Sequence, residues 1–195
     1  MQPEPITLSG QFVRVEPLAL AHAADLALVA TEEGIWSYMP AKVPQNQADV
    51  EALIEAALAE AKKGVRLPFS IIDLKGGRAI GSTSYLDIAP AHRRIEIGWT
   101  WLGAPARRTA INTECKYLLL KHAFEALGCG RVQLKTDARN LRSQAAIERL
   151  GAVKEGVLRR HMILPDGHVR DTVMYSITAA EWPMVTKRLQ AFLGY

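Results

Sequence analysis

Between Asn46, a residue type that favours helix N-caps, and Gly64, apolar positions at Val50, Leu53, Ile54, Ala57, Leu58 and Ala61 recur at helical spacing. This predicts an amphipathic helix. Before it, residues 12–15 read as extended, residues 21–30 as a short helix, and the aromatic-rich stretch 36–40 as irregular. After it, residues 67–73 and 79–86 flank Lys75-Gly76-Gly77-Arg78 as a hairpin, and residues 94–102 supply a further strand of an antiparallel meander. The pattern changes at residues 112–127, where Cys115, Leu118, Leu119, Leu120, Ala123, Phe124 and Leu127 cover more than one helical stripe, as in a helix buried on several sides. Residues 131–137 alternate as a strand, 140–150 read as a helix closed by Gly151, and 153–164 with 168–177 form a hairpin around Pro165-Asp166-Gly167. A last helix begins at Thr178 or at Trp182; the second choice places Pro183 in the first turn, where its missing N–H costs nothing.

Strand, helix and strand over residues 94–137 make a crossover, so the order predicts an α+β fold. Its mixed α/β sheet is mostly antiparallel, with one parallel pair at its centre. No linker, repeat or low-complexity tract interrupts the 195 residues, which are read as a single domain over 1–195.

Composition changes this picture little. A hydrophobic share of 49% and a charged share of 23% exclude disordered and disulfide-scaffold classes. No apolar run approaches the roughly 20 residues of a membrane helix, and the start lacks a signal-type pattern, so a cytoplasmic protein without membrane partners is expected. Cys115 and Cys129 sit in apolar text and read as buried, inert thiols. The five histidines lack metal-ligand spacing, and no metal is inferred. The net charge of +4 favours anionic ligands, although a basic surface without interleaved aromatics does not make an RNA-binding protein, and no nucleic-acid partner is expected.

The crossover places a helix N-terminus at the carboxyl end of a strand, where free N–H groups and the positive dipole end attract phosphate. Here that junction reads Gly103-Ala104-Pro105-Ala106-Arg107-Arg108-Thr109-Ala110-Ile111-Asn112. Two arginines add charge, while the absence of GxGxxG and GxxxxGK[ST] argues against dinucleotide and triphosphate folds.

Glu96-Ile97-Gly98, leading through Trp101 and Leu102 into this loop, and the later pair Asn140-Leu141-Arg142-Ser143 and Glu148-Arg149-Leu150-Gly151-Ala152, resemble the GCN5-related N-acetyltransferase (GNAT) superfamily, and its RimJ/RimL-like branch in particular. The resemblance runs from about residue 6 to 193. It implies the GNAT acyl-CoA N-acyltransferase fold, acetyl-CoA as cofactor, and direct transfer of the acetyl group to an amine. On the family's phosphate-loop pattern [QR]xxGx[GA], Arg107 takes the first position, Ala110 replaces glycine and Asn112 stands for glycine or alanine. The resemblance assigns cofactor contacts to Trp101, Leu102, Arg107, Arg108, Thr109, Ala110, Ile111, Asn112, Asn140, Ser143 and Arg149. If the glycine position needs positive φ, Ala110 is strained; if a helix starts through residues 109–113, it is not, and the second case is expected. Asn140 and Ser143 also suit plain helix capping. Where many relatives carry a general-acid tyrosine, this chain has Ile147, which leaves Ser143, water or another tyrosine to protonate the thiolate.

For a general base, Glu96 is the first candidate, alternating with Gly98 and Thr100 on one face while Ile95, Ile97, Trp99 and Trp101 fill the other. Its structural alternative is an ion pair with Arg94 or Arg131. A backbone N–H of residues 100–102 is expected to bind the developing oxyanion. Trp36, Tyr38 and Tyr85 are assigned to the acceptor pocket, Trp36 and Tyr38 reading equally well as core, beside a last hairpin whose Arg159, Arg160 and His161 meet Arg170 and Asp171. Leftover positive charge there favours an acceptor bearing a carboxylate, or an acidic peptide. The acceptor is an amine-bearing small molecule or a peptide N-terminus, and a homodimer is compatible with the family. A catalytically silent acyl-CoA-binding module is the rival reading, suggested by the altered loop and the missing tyrosine.

Overall fold

The structure, a computed structural model, describes residues 2–195, with Glu33 described by its backbone alone. Eight strands form one sheet: β1 (Leu8–Ser9), β2 (Val13–Pro17), β3 (Arg66–Asp73), β4 (Arg78–Ala89), β5 (Arg94–Leu102), β6 (Arg131–Asp137), β7 (Val153–Ile163) and β8 (Val169–Thr178). Their spatial order is β1-β2-β3-β4-β5-β6-β8-β7, and only β5 and β6 pair in parallel. The helices are α1 (Ala23–Ala30), α2 (Glu33–Trp36), α3 (Gln47–Lys62), α4 (Ala110–Lys121), α5 (Leu141–Leu150) and α6 (Trp182–Leu193).

Caps and apolar faces account for the bounds of α3, α5 and α6. Asn46 caps α3 by accepting the Asp49 N–H at 3.0 Å, and Val50, Ile54 and Ala57 are buried from that helix. Gly151 closes α5 with φ of 103°, a conformation that favours glycine. Pro183 sits in the first turn of α6, which settles its start at Trp182. The helix expected over 112–127 begins two residues earlier, at Ala110, and ends in a π-type turn over His122–Ala126.

The two faces carry separate cores. Val13, Phe69, Ile71, Tyr85, Ile95, Ile97, Val132, Leu134 and Tyr175 pack on the face covered by α4 and α6, with Cys115 and Leu119 among their neighbours. On the other face Leu26, Trp36, Val50, Ile54, Ile72 and Ala79 join the sheet to α1 and α3. That second layer stops short of β6 and β8, so part of the sheet remains uncovered beside β5.

One expectation about β5 fails. Trp99 adopts φ of +49°, and the register with β4 slips there, Ser84 facing Gly98 but Ser82 facing Trp101. One extra residue is accommodated in β5, a β-bulge that inverts the alternation beyond it. Thr100 therefore meets Thr83 at 2.8 Å and Lys116 of α4, on the face opposite Glu96. Trp101 crosses to the other core, its ring centroid 5.4 Å from that of Trp36, and the Arg66 guanidinium stacks over Trp99 at 4.6 Å.

Candidate active site

Strand β5 pairs with β6 at three positions only, Arg94 with Arg131, Ile95 with Val132 and Glu96 with Gln133. Beyond Glu96 the bulge turns β5 away, while β6 continues to Asp137 in full register with β8. A gap opens in the middle of the sheet. Along it, residues 97–102 of β5 have no partner strand on the β6 side. The gap is the heart of a cavity of about 1160 Å³, whose wall includes Gly98, Thr100, Leu102, Leu134, Thr136, Asn140 and Ser143.

The N-terminus of α4 stands at this cavity. Thr109 caps it, accepting the Ile111 N–H at 3.2 Å and donating to the Ala106 carbonyl at 2.8 Å. Thr109, Ala110, Asn112 and Thr113 line the wall, so the first-turn amides and the positive dipole end face the same space. The positive φ of the loop falls on Arg108, at +62°, and not on Ala110. Ala110 is thus already right-handed, and its methyl group carries no strain. Ala110→Gly is accordingly expected to change coenzyme A affinity by no more than about threefold, read by calorimetric titration; a gain near a hundredfold would mean that the methyl group blocks the site.

Of the two loop arginines, Arg107 is already engaged: its Nε donates to the Leu102 carbonyl at 3.2 Å and its Nη2 lies 3.0 Å from Glu32. Arg108, Arg142 and Arg149 line the cavity with no carboxylate within 4.0 Å among the described residues. Arg149 donates to Thr113 Oγ1 at 2.6 Å, which ties α5 to the first turn of α4.

On the uncovered face, Glu96 is 1% exposed and still lines the cavity. Its ion-pair partner is Lys135 of β6, 3.0 Å from Oε2; Gln133 also donates to Oε2, at 3.4 Å. Oε1 lies over Gly98, where a β-carbon would sit 2.6 Å away, so the missing side chain there makes room for the carboxylate. Arg94 and Arg131, the partners considered from sequence, are held by Asp87 and Glu155 instead. They sit at the end of β5–β6 remote from the gap.

The family model described as Acetyltransferase (GNAT) domain matches residues 13–153. The chain belongs to the GNAT acetyltransferase family. The Uncharacterized N-acetyltransferase YoaA of Bacillus subtilis (strain 168) is 32% identical over 139 residues, 68% of this chain and 76% of that protein. A solved GCN5-related N-acetyltransferase from Brucella melitensis matches with a TM-score of 0.93 at 30% identity, covering 99% of this chain and 87% of the other. Mycobacterium smegmatis RimJ in complex with CoA-disulfide matches with a TM-score of 0.81 at 25% identity, covering 96% and 94%.

GNAT enzymes take their acetyl group from acetyl-CoA, and the residues present suit such a molecule: a helix N-terminus with cations beside it for a diphosphate, and an unpaired strand edge for an amide-rich arm. Of the cofactor contacts expected from sequence, Trp101, Leu102, Arg107, Arg108, Thr109, Ala110, Asn112, Asn140, Ser143 and Arg149 line the cavity. Ile111 does not; it packs against the core instead. Asn140 caps α5 by accepting the Ser143 N–H at 3.0 Å.

The acceptor assignments need two corrections. Tyr85 is fully buried on the α4 face, donating to the Leu119 carbonyl at 2.6 Å and lying 3.2 Å from His122 Nδ1, because its strand position points away from the uncovered side. Trp36 is 4% exposed and donates to the Ala30 carbonyl at 2.6 Å, a core residue beneath Trp101 and outside the cavity wall. Tyr38 does line the cavity, with the Arg139 guanidinium 5.5 Å over its ring.

Sequence reasoning missed Lys116, which lines the cavity from α4, 6% exposed, with Nζ donating to Thr100 Oγ1. Its signal was faint: a lysine inside an apolar helical run. Burial pushes its ammonium down to about 8, against weaker opposing pulls from Cys115 and Glu96. The folded state therefore gives up this proton more readily than the unfolded chain. The resulting stability is present in full above the ordinary lysine value of about 10.4 and is lost as pH falls through about 8. At pH 7 the buried charge is a cost. Lys116→Met is expected to raise the unfolding free energy at pH 7 by about 2 kcal/mol, a gain that shrinks toward zero above pH ~10. Urea melts across that range check it, and a loss of stability at pH 7 would contradict it.

Proposed function

We propose that the protein transfers an acetyl group from acetyl-CoA to a primary amine, in a complex holding both substrates at once. One arrangement supports this best: a β5–β6 gap with the amides of α4 at its wall and the carboxylate of Glu96 facing it. Acetyl-CoA supplies the thioester carbonyl that the amine attacks. In this reading Arg108, Arg149 and the first-turn amides of α4 hold the diphosphate, while the open edge of residues 97–102 aligns the pantetheine arm. An N–H from that edge donates to the carbonyl oxygen as negative charge develops on it. Glu96 accepts the amine's proton at Oε1, the oxygen not engaged by Lys135. As the carbon–sulfur bond breaks, Ser143 Oγ relays a proton to the departing sulfur, giving up its own and regaining one from solvent water in the open cavity, in the place left by the absent tyrosine. No covalent enzyme intermediate is needed.

The acceptor falls among small amines and peptide N-termini. An α-amine, with a pKa near 8, asks less of a lone carboxylate than a lysine near 10.4. Buried thiols at Cys115 and Cys129 suit a reducing cytoplasm. Among the described residues no helix is long and apolar enough to cross a membrane. The test is coenzyme A thiol release by purified protein with acetyl-CoA and a panel of peptides, polyamines and amino acids. Amine-dependent release is expected, whereas tight coenzyme binding without release for any amine would favour a silent binding module.

A further inference from the structure

We propose that Arg170 binds a carboxylate group carried by the acyl acceptor, so that the acceptor class is an amine bearing its own carboxylate. This rests on the reading above that the cavity transfers an acetyl group to an amine. Arg170 lies on β8, opposite Met162 of β7 and two residues from Thr172, whose partner on β6 is Asp137. That register puts it on the sheet face of Glu96 and Lys135, the side that α1 and α3 leave uncovered.

Arg170 is 5% exposed and forms part of the cavity wall. An arginine keeps its charge even where burial lowers its proton affinity, so a cation is held in a largely dry place. Its satisfaction is poor. Nη1 makes one long bond, 3.4 Å, to the Tyr38 carbonyl; Nε has no partner, and no carboxylate lies within 4.0 Å among the described residues. Among the described residues, Ser70 Oγ and Arg94 Nε are the other unpartnered buried side-chain atoms, and neither residue is in the cavity wall.

The nearby carboxylates are already taken. Asp137 accepts from the Arg139 backbone N–H at 2.8 Å and from its guanidinium at 2.8 and 3.1 Å. Glu96 holds Lys135, and Asp87 holds Arg94 and Gln133. Asp137 and Glu96 attract Arg170 only from beyond ion-pair distance, so a direct anionic partner has to come from a bound molecule, and a planar guanidinium fork best matches a planar carboxylate. Arg170 bonds to Tyr38 and pairs with Met162 of β7, whereas the bond from Arg149 to Thr113 among the diphosphate candidates joins α5 and α4. The two anion sites therefore draw on different elements.

Two sources carry this chemistry, a small amino acid and an acidic side chain near a peptide N-terminus. The probes are 4-aminobutyrate with its carboxamide, and a serine–glutamate–alanine peptide amide with its glutamine counterpart. Two measurements are made with coenzyme A bound: the side-chain Nε–H resonance of Arg170, assigned by its loss in Arg170→Lys, and kcat/KM for each probe. A carboxylate probe is expected to move that resonance while its amide twin does not, and the responding pair names the source. Its kcat/KM should exceed that of the twin by about tenfold or more, and Arg170→Met should reduce the ratio to within about twofold while coenzyme A affinity holds. A resonance that moves for neither carboxylate, or a ratio unchanged in Arg170→Met, overturns the inference. A moving resonance without turnover of any amine leaves the carboxylate site standing and overturns the transferase reading. Equal turnover of carboxylates and amides does the reverse.

Discussion

Glu96→Gln is expected to lower kcat by about 10²-fold or more while leaving the acetyl-CoA Kd within about twofold. The substitution keeps the shape of a side chain that is 1% exposed and fits over Gly98, so the β5–β6 pairing should survive. What it removes is the oxygen that takes the amine's proton. It also leaves Lys135 without its ion-pair partner, but that lysine is 30% exposed and can reach water. Stopped-flow measurement of thiol release separates the effects: the chemical step should slow and coenzyme binding should not. An unchanged rate would return Glu96 to a purely structural pairing with Lys135.

Glu114→Ala is expected to cost about 3 kcal/mol or more of stability, an effect of similar size in the opposite part of the molecule. Glu114 is fully buried on α4, and its carboxylate accepts the backbone N–H groups of Gln11 at 2.8 Å, Phe12 at 2.7 Å and Val13 at 2.7 Å. The Tyr195 hydroxyl donates to it as well. Burial and this bond push that phenol up to about 12, so its proton stays in place through neutral pH. One side chain thus joins both chain ends to the helix that faces the cavity. Gly10 is part of the same fit, since a β-carbon there would lie 2.4 Å from the Glu114 carboxyl carbon. Alanine at 114 would take the carboxylate away from the Phe12 and Val13 N–H groups and leave Gln11 N–H only its long bond, 3.4 Å, to the Tyr195 hydroxyl. Guanidinium melts monitored by circular dichroism test this, and a loss below about 1 kcal/mol would show that water replaces the carboxylate at little cost.

Local periodicity made most elements legible. Helix α3 announces itself through Asn46, its apolar stripe and Gly64; the β3–β4 hairpin through its glycines; α5 through Asn140 and Gly151. Those signals act over a few residues and owe little to the rest of the chain. The bulge at Trp99 is different. It depends on how β5 aligns with β4, and nothing within residues 94–102 reveals that one residue is surplus. Reading strict alternation through it put Thr100 beside Glu96 and Trp101 on the wrong core, when the bulge is what opens the gap. Tyr85 and Trp36 misled for a related reason, because an aromatic residue beside a pocket and one beneath it look alike until the facing element is known. Lys116 and Glu114 carry charge inside apolar helical text, where residue type argues for solvent and only the tertiary partners, Thr100 and the backbone of residues 11–13, explain their burial.

The central claim is that the β5–β6 gap and the first turn of α4 together seat the acyl donor. A crystal structure with acetyl-CoA bound tests it most directly. The predicted result is a diphosphate on the amides of residues 109–113, a pantetheine arm along residues 97–102, and a thioester carbonyl in the space that Glu96 faces. A diphosphate held at another part of the surface, with the arm outside the gap, would contradict it.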